Sequence, residues 1–100
     1  MRIHFVRTGG FAGMRLETTV DSDSLPPEEA QALQKELQEA NFYALPAQIA
    51  GQSGGADRFQ YEISVNDGSK QHTVETGEGS MPDTLQPLVQ HLDRLARTRR

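Results

Sequence analysis

The sequence predicts an α+β fold: a two-layer sandwich in which a four-stranded antiparallel sheet carries two helices on one face, in the order β-β-α-β-β-α. Three observations lead there. Segments of period-two alternation come in pairs, one pair broken by glycines and the other by Asn66-Asp67-Gly68. Each pair is followed by a stretch with apolar residues at helical spacing. A chain of 100 residues has room for one core only. Half-buried strands need a cover for their apolar face, and helices with a single apolar stripe supply it.

Residues 2 to 8 alternate as a strand, with Ile3 and Phe5 on one face and Arg2, His4 and Val6 on the other. The break Gly9-Gly10-Phe11-Ala12-Gly13 predicts a hairpin. A second strand follows, with Met14, Leu16, Thr18 and Val20 on one face and Arg15, Glu17 and Thr19 on the opposite one. Asp21-Ser22-Asp23-Ser24 ends it. Pro26-Pro27-Glu28-Glu29 reads as a helix start, because proline is tolerated where backbone N–H groups lack intrahelical partners and the carboxylates sit at the positive dipole end. Ala30, Leu33, Leu37 and Ala40 form the stripe, and Asn41 is the stop. Phe42, Tyr43 and Leu45 make an apolar cluster before Pro46, which is expected to pin the helix exit to the core.

Ala47 to Ala56, with Gly51-Gln52-Ser53-Gly54-Gly55, has few side chains to offset the entropy of ordering and is expected to be a long mobile loop. Arg58 to Val65 is the cleanest strand, with Phe59, Tyr61, Ile63 and Val65 pointing one way. Asp67-Gly68 suits a tight turn, and Lys70 to Thr76 returns as the fourth strand. After Gly77-Glu78-Gly79-Ser80, the residues Leu85, Leu88, Val89, Leu92, Leu95 and Ala96 follow the amphipathic template. Pro87 fits the first turn if that helix starts near Asp83 or Thr84. Residues 1–100 are expected to form one domain, with the tail 97–100 frayed.

Composition narrows the function. A net charge of −4 argues against binding nucleic acid through general electrostatics, which needs a basic surface. Zero cysteines remove disulfides, thiolate nucleophiles and sulfur-ligated metals. No apolar run long enough to span a bilayer occurs, and the N-terminal alternation lacks the pattern of a signal peptide, so a cytoplasmic location and no membrane partner are expected. His4, His72 and His91 fall on three different elements, with no ligand-like local spacing, and Ser53, Ser64 and Ser80 lack a nucleophile-elbow context. The expectation is a protein that is not an enzyme and holds no cofactor or metal. A small enzyme would need a pocket joining at least two of His4, Glu17, His72 and Glu75.

The glycine clusters remain. A phosphate cradle opens onto a helix N-terminus, whereas here a strand follows Gly13. A hairpin loop needing positive φ explains the glycines but not Phe11 at its tip; an aromatic on a loop is a good anchor for a partner's pocket. For Gly51 to Gly55 a flexible connector is the simpler reading.

Arg7-Thr8-Gly9-Gly10-Phe11-Ala12-Gly13, Leu25-Pro26-Pro27-Glu28-Glu29-Ala30, Ala56-Asp57-Arg58-Phe59-Gln60-Tyr61 and Met81-Pro82-Asp83-Thr84-Leu85-Gln86-Pro87-Leu88 together resemble the emfourin family of protein inhibitors of protealysin and other thermolysin-like metallopeptidases. The resemblance implies a tight, reversible, non-covalent inhibitor, monomeric when free, that occludes the substrate cleft of a zinc peptidase and carries no metal itself. Under it, Phe11 fills an apolar pocket of the enzyme, flanked by Gly9, Gly10, Ala12 and Gly13. Protease–inhibitor pairs bury about 1,600 Å² in total, so one short loop is not enough. Gly54, Gly55, Asp57 and Arg58 are the candidates for a second contact, provided they lie on the same side of the fold. The alternative is a small adaptor or self-assembly module that pairs through a sheet edge or the open sheet face.

Overall fold

The computed structural model describes residues 1–9, 14–49 and 59–98. Along the chain run strands β1 (Arg2–Gly9) and β2 (Met14–Asp21), helix α1 (Pro27–Glu39), strands β3 (Gln48–Ile49), β4 (Phe59–Asn66) and β5 (Gln71–Gly77), and helix α2 (Gln86–Thr98). The sheet order is β2-β1-β4-β5-β3. β1 pairs antiparallel with β2 and β4, and β4 with β5.

The expected four-stranded antiparallel sheet is corrected in one respect. Gln48–Ile49, read from sequence as part of a loop, forms a fifth strand parallel to β5, so the sheet is mixed. Two residues are too few to show a side-chain period. Their pairing is a backbone event, in which Glu75 N–H donates to the Ala47 carbonyl at 2.8 Å.

The strand faces follow the alternation. Ile3, Phe5, Val20, Ile63, Val65 and Val74 are buried together with Leu33 and Leu37 of α1 and Leu88, Leu92 and Leu95 of α2 in one cluster. Full burial is worth roughly 1.5–3 kcal/mol per large apolar side chain, and this cluster is what joins sheet to helices. Val6 is buried although it lies on the open face, where it stands in register between Glu17 and Glu62.

The helix ends behave as their chemistry requires. Pro27 opens α1, with Glu28 and Glu29 in its first turn. Asn41 takes the left-handed conformation (φ 52°) that stops the helix, and Phe42 turns into the core directly after it. A 3-10 turn, Asp83–Leu85, leads into α2, which leaves Pro87 in the first helical turn.

Candidate functional site

The strand registers bring the residues that flank both glycine-bearing segments to one end of the sheet. Gly9, the last residue of β1, pairs with Met14 on one side and with Phe59, the first residue of β4, on the other. Gln60 pairs with Gly77 and Tyr61 with Thr76, and Thr76 also pairs with Ile49 at the end of β3. The residues that flank segments 10–13 and 50–58 are Gly9, Met14, Ile49 and Phe59: Met14, Gly9 and Phe59 stand side by side in neighbouring strands, and Ile49 lies on the far side of β5, in line with Tyr61. Gly9 has φ 94°, a conformation open to glycine at little cost.

Side chains from distant parts of the chain hold this end. Arg7 donates to Asp93 Oδ1 of α2 at 2.6 Å, and its guanidinium carbon lies 4.5 Å from the centroid of the Phe59 ring. Asp93 in turn meets Arg97 one helical turn on, at 3.1 Å. With side-chain exposures of 24% for Arg7 and 15% for Asp93, the pair is far better shielded than a surface ion pair. Tyr61, half-buried next to Phe59, has its phenol pKa raised, first by burial and then by the negative charges of Glu78 and Asp93.

A 3-10 turn, Glu78–Ser80, follows β5 at the same end. Phe59 N–H donates to Glu78 Oε1 at 3.2 Å, and Ser80 Oγ donates to the Ile49 carbonyl at 3.2 Å.

A sequence model of the emfourin family matches residues 5–93. The chain belongs to the emfourin family. No curated protein and no solved structure matches it. The resemblance carried by the four sequence blocks is thus borne out, and emfourin membership points to a protease-inhibitor type of function. The match runs from β1 into α2 and includes Arg7, Glu78, Ser80 and Asp93.

Of the residues expected to contact a protease, Gly9 is placed at the sheet end. Gly10, Phe11, Ala12, Gly13, Gly54, Gly55, Asp57 and Arg58 lie outside the described residues. Of the residues named for an enzymatic reading, two meet on the open sheet face and His72 stands on the opposite one. His4 and Glu17 do meet, with Nε2 and Oε2 2.8 Å apart, but on the open sheet face with side-chain exposures of 36% and 42%. His4 Nδ1 also bonds Thr19 Oγ1, and Glu17 has its pKa lowered, chiefly by its bond from Arg15. His72 lies on the helix-covered face, with Nε2 2.7 Å from the Leu45 carbonyl, and Glu75 accepts from Gln48 at the edge. Among the described residues no group of three or more histidine or acidic side chains could hold a metal ion.

Sequence reasoning missed two constellations. His91, on α2, is buried between the helices, with Nδ1 3.0 Å from Glu36 Oε1 and Nε2 3.2 Å from Glu29 Oε1. Carboxylates only accept, so both bonds form at once only when both ring nitrogens carry a proton. The one sequence signal was that Glu29 and Glu36 stand seven residues apart, on one face of α1. The Arg7–Asp93 pair had no local signal.

Proposed function

We propose that this emfourin-family chain is a reversible, non-covalent inhibitor of a thermolysin-like zinc metallopeptidase, itself without cofactor, metal or catalytic role. Gly9, Gly10, Phe11, Ala12 and Gly13 are the main contact, with Phe11 as the anchor in an apolar pocket of the enzyme. Gly54, Gly55, Asp57 and Arg58 are the second contact. The observation that carries this reading is the Gly9–Phe59 pairing. It sets Gly9 and Phe59, which flank the two segments, in register on neighbouring strands, and this supports a second contact on the side of the first. Two neighbouring contacts are also what the roughly 1,600 Å² of a protease–inhibitor interface calls for.

The test is a titration of the protein into a thermolysin-like peptidase cleaving a fluorogenic peptide, with Phe11→Ala alongside and circular dichroism on both. Stoichiometric inhibition that is weakened by at least about tenfold in a folded Phe11→Ala variant is expected, the size of an interface hot spot. Inhibition unchanged by the substitution would move the anchor elsewhere. No inhibition of any such peptidase would sink the reading and leave the adaptor alternative, for which β2, an eight-residue strand at the sheet edge, offers pairing groups.

A further inference from the structure

The 3-10 turn Glu78–Ser80 reaches residues on both sides of segment 50–58, although it belongs to neither. Glu78 Oε1 accepts from the Phe59 N–H at 3.2 Å, and Ser80 Oγ lies 3.2 Å from the Ile49 carbonyl as donor. Ser80 Oγ has other neighbours, the Gly77 carbonyl at 3.4 Å and Thr76 Oγ1 at 3.4 Å. Thr76 Oγ1, in a buried side chain, itself donates to the Gly77 carbonyl at 3.2 Å. The Ile49 carbonyl is the nearest of the three to Ser80 Oγ, and the Gly77 carbonyl also has the Thr76 hydroxyl as a donor, so the single Ser80 proton is best placed on Ile49.

The position of the turn is itself secured. β5 runs into it directly through Gly77, whose pairing with Gln60 places the turn beside the start of β4. Ile49 at its other contact is half-buried and packs against the core cluster. Ile49 and Phe59 are thus tied to one rigid point on the sheet rather than to each other. Phe59 is also the residue that pairs with Gly9, so its placement governs the spacing between the residues that flank the two segments.

We infer that Glu78 and Ser80 are positioning residues for protease recognition: they hold in place Ile49 and Phe59, the residues that flank the second contact, with Phe59 beside Gly9, which flanks the first. The inference rests on the inhibitor reading above. Its physical content is preorganisation, since an interface whose supporting residues are already held loses less entropy on binding. Neither residue touches the peptidase in this account; both act through the backbone groups they hold.

The test compares Glu78→Ala, Glu78→Gln and Ser80→Ala with the wild type in three measurements: inhibition of a thermolysin-like peptidase, thermal unfolding, and amide exchange at Phe59 by NMR. Gln keeps an acceptor oxygen at the position of Oε1 and loses only the charge. Expected are inhibition constants raised about fivefold in Glu78→Ala and in Ser80→Ala, the equivalent of about 1 kcal/mol or one hydrogen bond. The unfolding midpoints should stay close to the wild type. Phe59 amide exchange should be faster in Glu78→Ala and restored in Glu78→Gln, together with inhibition.

Wild-type inhibition constants in both alanine variants would overturn the inference. So would a Glu78→Gln variant as weak as Glu78→Ala, which would make the charge and not the tether the active feature. A loss of inhibition that only tracks a falling unfolding midpoint would reduce the turn to general stability and overturn it likewise. If the wild type inhibits no such peptidase, the functional reading fails separately. The tether is then decided by exchange alone: an unchanged Phe59 amide in Glu78→Ala rejects it.

Discussion

The two ends of the sheet are built by opposite means. At one end the β4–β5 hairpin closes on itself. Asp67 Oδ1 accepts from Ser69 N–H at 2.9 Å and Lys70 N–H at 2.7 Å, Asn66 Oδ1 accepts from Gly68 N–H at 2.9 Å, and Asp67 N–H donates to the Lys70 carbonyl. These backbone partners lie within a few residues of one another, and among the described residues the one distant side chain bonded to the turn is Tyr43, whose hydroxyl donates to the exposed Asp67 Oδ2 at 3.2 Å. At the opposite end, Phe59 is held by Glu78 and Arg7 by Asp93, across sequence separations of 19 and 86 residues. A turn whose backbone bonds are all made by its own residues can close locally, whereas an end whose backbone and charges are held by remote residues exists only once the whole domain has folded. The end rooted by Gly9 and Phe59 is therefore the one whose geometry depends on the tertiary structure, and it is the end assigned here to recognition.

The sharpest way to break this contrast is at Asp93. Asp93→Ala leaves Arg7 shielded without its carboxylate, and a loss of about 2 kcal/mol in denaturant unfolding is expected, between the values for surface and fully buried pairs. A double-mutant cycle with Arg7→Met should recover part of it, because removing both partners leaves no unpaired charge. Additive losses would mean that the pair does not couple β1 to α2.

A smaller effect is expected at Gly68, where the backbone has φ 96° and a Cβ would meet nothing within 4 Å. Gly68→Ala should cost about 1 kcal/mol through conformation alone, since no clash is available to add to it. A loss of several kcal/mol would show that the turn is coupled to the rest of the fold and is not self-contained.

The smallest effect is expected at Asp67, and it depends on pH. The two backbone N–H bonds from Lys70 and Ser69 hold its pKa down, from 3.8 to about 2. A carboxylate with a depressed folded pKa contributes stability that is present above the unfolded value and lost as pH falls through the folded one. The stability difference between wild type and Asp67→Asn should thus be constant near neutrality and shrink between about pH 4 and pH 2. A difference that persists below pH 2 would assign the effect to geometry rather than to the charge.

How much was legible in the sequence divides along the same line. The β1, β2, β4 and β5 alternations, the stripe of α1, the Asn41 stop and the place of Pro87 were all readable, because each depends on residues within one turn or one strand. The family blocks were readable for the same reason. β3 was not, since two residues carry no period. Neither was the burial of His91, for its carboxylate partners Glu29 and Glu36 lie on another helix.

The sequence by itself thus determined the elements other than β3, their apolar faces, the single core and the emfourin membership. Only the tertiary structure decided that Gly9 and Phe59 stand side by side, that Glu78–Ser80 reaches both Ile49 and Phe59, and that Arg7 finds Asp93. The reason is physical. Periodicity and turn chemistry act between near neighbours in the chain, whereas strand order and register are chosen by the packing of the whole core, and a pair 86 residues apart in sequence leaves no trace until that packing is made.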